Sequence, residues 1–276
     1  MLSFTDAYSR RAVVLVPLLT MLACDPGEPR DGAASDPSDV AVSADEVSEH
    51  LTAALGTASS AGSIQTLAYH AEGFTDPPNQ GVLPGDLAPS FPRTEFELDI
   101  IQDVGGDRIR IDRQGATPAP GFIVDQIERI DGNVGVAEGA SVLGPLGAMT
   151  SDRVAALRRN QRLLNPTLLL SEVAADPGIL LGAHFGFDGQ SLLLVLELDD
   201  TVAPITVEVA LVGPAGPSVK RVLTQENDRL MRDVAVEVGF SQWQWVGGWR
   251  LPHQVEVHQG GHLIHVEQRT DYVVNG

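Results

Sequence analysis

The chain has 276 residues, 43% hydrophobic and 20% charged, which is enough for a globular domain with a substantial core and too apolar for a chain disordered throughout. Its 18 Lys and Arg against 37 Asp and Glu give a formal net charge of −19, which repels a phosphate backbone and excludes nucleic acid as the expected partner. The single Cys excludes an internal disulfide and any zinc or iron–sulfur site built from several cysteines.

Arg10 and Arg11 precede an apolar run from Ala12 to Leu22. That length suits the ~7–15-residue core of an export signal and falls short of the ~20 residues of a membrane helix. The run ends Met21-Leu22-Ala23-Cys24, which resembles the lipobox of bacterial lipoproteins. The resemblance implies cleavage after Ala23, lipid attached to Cys24, and a place in the bacterial cell envelope facing the periplasm or the cell surface. A small secretory cleavage site with an incidental Cys is the alternative, and Ser9 to Val14 also resembles part of a twin-arginine signal, so the export route stays open. Residues 1–23 are therefore expected to be a signal peptide. Residues 24–42, rich in Pro, Asp, Ser and Gly with almost nothing to bury, are expected to be a disordered tether.

The folded domain is expected over 43–276 and opens on a helix. Ser43-Ala44-Asp45-Glu46 reads as a capping box, Gly56 as the stop, and Val47, Leu51, Ala54 and Leu55 as one apolar stripe. The period then changes from 3.6 to 2. Phe96, Leu98 and Ile100 alternate with Glu95, Glu97 and Asp99; Ile109 and Ile111 alternate with Arg108, Arg110 and Asp112. The same pattern returns at Val207, Val209 and Leu211 and at Val234, Val236, Val238 and Phe240, while Leu192, Leu194, Leu196 and Leu198 form an unbroken row on a strand whose other side carries Leu193, Val195 and Glu197. Turn signals at Asp188-Gly189, Gly132-Asn133 and Gly260-Gly261 predict direct hairpins, hence antiparallel pairing. One helical interruption is predicted, capped at Thr150 or Ser151 and continued after Asn165-Pro166. The fold class that follows is α+β: one large, curved antiparallel sheet, an incomplete β-barrel, wrapping a few helices.

Two stretches carry a family resemblance. Leu55-Gly56 with Ile64 to Gly73 resembles the helix-into-strand opening of LolA/LolB-like lipoprotein-carrier folds, and in particular the β-rich N-terminal domain of secreted metallo-β-lactamase-fold hydrolases. Asp233 to Trp243, followed by Val246-Gly247-Gly248-Trp249-Arg250-Leu251-Pro252, resembles the late strand and turn of such domains. The similarity runs over about Val47 to Val274, and it implies the half-barrel fold. No His-x-His-x-Asp-His motif occurs and no hydrolase half is expected, so two-zinc chemistry passes to no residue here.

Other chemistry is scarce. There is no Gly-x-Ser-x-Gly elbow and no phosphate loop; Lys220 stands in no motif, and Asp199-Asp200 reads as a solvated turn. In the last hairpin the Gly260-Gly261 turn pairs Gln259 with His262 and so predicts that Glu256 faces His265. This puts Glu256, His258 and His265 on one wet side, with Val255, Val257, Ile264 and Val266 on the core side. That cluster is expected to be a solvated ion pair and not a metal site, and no cofactor is expected.

The functional content lies in the apolar face. In the lipoprotein-carrier fold the matching surface is a cavity for acyl chains. The resemblance therefore implies a hydrophobic small molecule or lipid as ligand, with Leu192, Leu194, Leu196, Val207, Val209, Val234, Val236, Val238 and Trp243 as candidate contacts. Trp243, Trp245 and Trp249 serve either as a binding lip or as core plugs around a tight turn. The expected function is a lipid-anchored, non-enzymatic carrier; the alternative is a non-catalytic module that packs on a protein partner.

Overall fold

The computed structural model describes residues 42–56, 64–76, 93–116, 123–140, 146–187, 189–198, 203–213, 216–228 and 232–276. The expected signal peptide, most of the tether, Cys24 and Asp199-Asp200 lie outside the described residues.

Helix α1 (Ala44–Leu55) forms as its capping box dictates. The Ser43 hydroxyl accepts from the Glu46 N–H at 3.3 Å, and the Glu46 carboxylate accepts from the Ser43 N–H at 3.0 Å. Gly56 ends it at φ 106°, where a Cβ would sit 2.6 Å from the Trp245 ring and 2.7 Å from the Gly248 carbonyl, so the stop is both conformational and steric. Val47, Leu51, Ala54 and Leu55 are buried, as the stripe predicts.

The rest is one thirteen-stranded antiparallel sheet. Its strands are β1 (Thr66–Thr75), β2 (Thr94–Asp103), β3 (Arg108–Ala116), β4 (Ile123–Asp131), β5 (Val134–Ala140), β6 (Gly147–Ala148), β7 (Leu180–Phe185), β8 (Ser191–Leu196), β9 (Ile205–Ala210), β10 (Ser218–Asp228), β11 (Arg232–Val246), β12 (Trp249–Gln259) and β13 (His262–Val274). The order across the sheet is β6-β5-β4-β3-β2-β1-β13-β12-β11-β10-β9-β8-β7. The meander therefore joins its own ends at β1 and β13 and is open in mid-chain, between edge strands β6 and β7. Helices α2 (Ser151–Leu164) and α3 (Pro166–Ala175) connect those edges. This is the expected α+β class.

The helices cover the inner face. Leu163 from α2 and Leu168, Leu169, Leu170 and Val173 from α3 join one core with α1 and the inward rows of the sheet. Thr150 is the N-cap of α2, its hydroxyl accepting from the Arg153 N–H at 3.3 Å. Asn165 precedes α3 but makes no side-chain cap, because its amide is turned into the interior. The Gly132-Asn133 and Gly260-Gly261 hairpins have the predicted two-residue turns, pairing Asp131 with Val134 and Gln259 with His262. The β7–β8 connection is longer than the predicted two residues: the last ladder bond runs from the Gly186 N–H to the Ser191 carbonyl.

The register of β13 departs from the expectation. Gln259 pairs with His262 and His258 with Leu263, but Val257 then pairs with His265, so Ile264 is an extra residue in a β-bulge. One extra residue exchanges the faces. Glu256 lies opposite Val266, while His265 and Glu267 lie opposite Val257 and Val255 on the inner side. Glu256, His258 and His265 therefore do not share a wet face. A second bulge follows at Asp271, at φ 52°, which lets Arg269 and Tyr272 both point inward.

Candidate functional site

Between α2 and the inner face lies a cavity of about 260 Å³. Its apolar wall comes from Phe96, Leu98 and Ile100 on β2, Ile111 on β3, Leu157, Leu163 and Leu164 on α2, and Val236, Val238 and Val257 on β11 and β12. These are the inward positions of alternating strands and the lower stripe of an amphipathic helix, so ordinary two-fold and 3.6-fold periodicity builds this wall. The polar wall has a different origin. Arg113, Asn160, Gln161, Glu226, Gln259, His265 and Glu267 also face the space, and the Ile264 bulge is what brings in the last two.

From His265 a buried chain of hydrogen bonds runs beneath the helices. The His265 Nε2 lies 2.9 Å from Glu267 Oε1, and Arg269 Nε donates to Glu267 Oε2 at 2.7 Å. Arg269 Nη1 donates to Asn165 Oδ1 at 2.9 Å; Asn165 Nδ2 donates to the Gln161 carbonyl at 2.8 Å; and Gln102 Nε2 donates to Gln161 Oε1 at 2.6 Å. The Arg269 guanidinium also stacks 4.5 Å from the centre of the Tyr69 ring. Glu267 and Arg269 are each 1% exposed. Burial pushes the Glu267 carboxyl up, but Arg269 and His265 outweigh it and hold it at about 2. Burial works against the Arg269 charge too, and Glu267 overcomes it, keeping the guanidinium protonated. Gly73 faces Glu267 across the β1–β13 ladder, where a Cβ would fall 1.8 Å from the Val266 carbonyl, so the strands meet closely at this point. His265 is stacked on Phe96, centroids 5.1 Å apart and planes 19° apart.

Of the residues expected to contact a ligand, Val236 and Val238 line the cavity. Leu192, Leu194, Leu196, Val207 and Val209 are buried in the hydrophobic core and do not line this space. Val234 is buried nearby on β11, and Trp243 packs on Phe240 at 6.3 Å without reaching the cavity. Trp249 is a core residue, whereas Trp245 is 57% exposed with the Arg250 guanidinium 5.6 Å from its ring. Cys24 is outside the described residues. Lys220, motif-free in the sequence, donates to Glu208 at 3.0 Å, and Arg221 donates to the same carboxylate at 2.6 Å. His70 is held by Asp99 at 2.9 Å, which raises its pKa above the ordinary value. Among the described residues no group of three or more His, Cys, Asp or Glu is placed to hold a metal, and no helix is long and apolar enough to cross a membrane.

No family model matches the chain, and neither does any curated protein. Among solved structures it is similar to a LolA superfamily protein from Nitrosomonas europaea, at 10% sequence identity and a TM-score of 0.45, over 86% of this chain and 95% of that one.

Proposed function

We propose that the chain is a non-enzymatic extracytoplasmic carrier that takes the apolar end of one amphiphile into the cavity beneath α2, tethered to a bacterial membrane by lipid on Cys24. The observation that supports this reading is the cavity itself: a space walled by Phe96, Leu98, Ile100, Val236 and Val238 where a close-packed interior would have none. At about 260 Å³ it is just under the ~300–1,000 Å³ of ordinary small-molecule pockets, which suits one short or partly inserted chain and not several acyl chains at once. The anchor rests on the Arg10-Arg11 pair, the short apolar run and the lone Cys24.

Two measurements test it. Organic extraction of the protein purified from membranes should yield a co-purifying amphiphile, and the apo form should bind a fluorescent fatty acid saturably. A clean extract with no probe uptake sinks the carrier reading. Cys24→Ser should move the protein out of the membrane fraction; a variant that sediments like the parent removes the anchor.

A further inference from the structure

Charges around the cavity cancel in pairs, with one exception. Glu267 is matched by Arg269, Glu226 by Arg159 at 3.2 Å, and Glu128 by Arg153 at 2.6 Å. Arg113, projecting from β3 into the same space, has no ion pair among the described residues, and its Nε is buried without a hydrogen-bond partner. Gln126, its direct neighbour in the β3–β4 register, leaves its own Oε1 unpaired as well. The nearest ring, Phe96, is 6.0 Å from the Arg113 guanidinium carbon. Burial lowers the pKa of this guanidinium from its ordinary value, with Glu128 and Glu267 acting in the opposite direction from a distance.

Arg113 is half-buried in the cavity wall, and an Nε–H shut off there without a hydrogen-bond partner is costly. Its guanidinium lines the cavity and, among the described residues, is answered there by no carboxylate within ion-pair distance, in a chain of net charge −19 where carboxylates are plentiful. We infer that Arg113 is the head-group anchor of the cavity and that the occupant is a single-chain amphiphile with an anionic head, a carboxylate or a phosphate monoester, whose tail lies over Phe96, Leu98, Val236 and Val238. The inference rests on the carrier reading and narrows its ligand. The guanidinium fork fits either head in two parallel hydrogen bonds. A neutral head leaves the Arg113 charge uncompensated. A cationic head adds a second positive charge and finds Glu226, Glu267 and Glu128 already engaged by arginines.

Titration calorimetry of the full chain with decanoate, decyl phosphate, decanol and decyltrimethylammonium separates these cases. Both anions should bind about tenfold or more tightly than decanol, the worth of a charged hydrogen bond, and the cation more weakly than decanol. The ratio between decanoate and decyl phosphate identifies the head. Arg113→Gln should erase the preference, bringing both anions to the affinity of decanol for the same variant, and Arg113→Lys should keep part of it. Free of ligand, Arg113→Gln should melt no lower than the parent, because it removes an unpaired charge. Equal binding of decanol and decanoate by the parent, or a preference that survives Arg113→Gln, overturns the anion anchor and leaves the carrier standing. An Arg113→Gln protein that melts several degrees lower makes Arg113 a structural group and overturns it too. Binding of none of the four overturns the carrier reading, and the anchor with it.

Discussion

The two flanks of the inner face are built from different materials. On β8, β9 and β10, Leu192, Leu194, Leu196, Ile205, Val207, Val209 and Val222 are all 0% exposed and interlock as an aliphatic core. On β3, β4 and β13 the same face holds Arg113, Gln126, Glu128, Glu267 and Arg269. Branched aliphatic side chains from neighbouring strands interdigitate and fill space. Long polar side chains must instead point their heads at particular partners, and the gaps left between such geometries are where a cavity persists. The space beside Phe96 and Val238 lies where the polar flank meets helix α2, and none of its lining comes from β8 or β9. A single sheet thus combines a close-packed side with a side that keeps a cavity.

If the polar flank depends on matched charges, breaking one match is the most damaging change. Arg269→Met strands the Glu267 carboxylate and should lower stability by about 3–5 kcal/mol, read by urea unfolding. Adding Glu267→Leu to that variant should recover most of the loss, since the pair then gives way to apolar packing. A single variant as stable as the parent would erase the distinction between the two flanks.

The same pair sets the acid limit. Glu267 has a folded pKa of about 2, below the ordinary 4.5. Its contribution is therefore complete above pH 4.5 and drains away as pH falls from there through 2, amounting to a few kcal/mol in all. Melting curves of the parent should fall across that window, and those of the Glu267→Leu, Arg269→Met double variant should fall less. Parallel curves would show that the carboxylate is not held down by its partner.

Added bulk gives the smallest effect and the sharpest contrast. Leu194→Phe enlarges a close-packed position and should cost about 1–3 kcal/mol, or several degrees of melting temperature. Val238→Phe places the same ring beside the cavity, so it should cost less and weaken fatty-acid binding several-fold. Equal losses in both would mean that the cavity wall is as tightly packed as the opposite flank.

The packed flank was legible in the sequence because Val207 and Val209 alternate with Thr206 and Glu208, and because Leu192 to Leu196 is a continuous apolar run. Helix α1 was legible as well, from Ser43, Glu46 and Gly56, whose chemistry is local. The polar flank was not. Its decisive feature is one extra residue, Ile264, and alternation counted outward from the Gly260-Gly261 turn places His265 to Thr270 on the wrong side, until the second bulge at Asp271 restores the count. Glu267 and Arg269 look like surface residues in the sequence, since carboxylates and guanidiniums are seldom fully buried. The signal that was available is their mutual spacing: two residues apart on a strand, they share a face and can pair. Arg113 gave no sign of its own, because its isolation is a property of partners that only the folded sheet brings close or keeps away.

The pairing of β1 with β13 also dictates an order of events. β2 to β5 and β7 to β13 zip to sequence neighbours through short connections, whereas β1 must wait for a strand some 190 residues downstream. Until β13 docks, β1 paired with β2 carries an unsatisfied ladder on its other side, an edge open to wrong partners. Tyr69 waits with it, because its neighbours Arg269 and Tyr272 lie on β13. The Glu267–Arg269 pair thus arrives with the strand that closes the ladder, and a chain without residues 265–276 would keep the ladders from β2 to β5 and from β7 to β12 and yet have no lock.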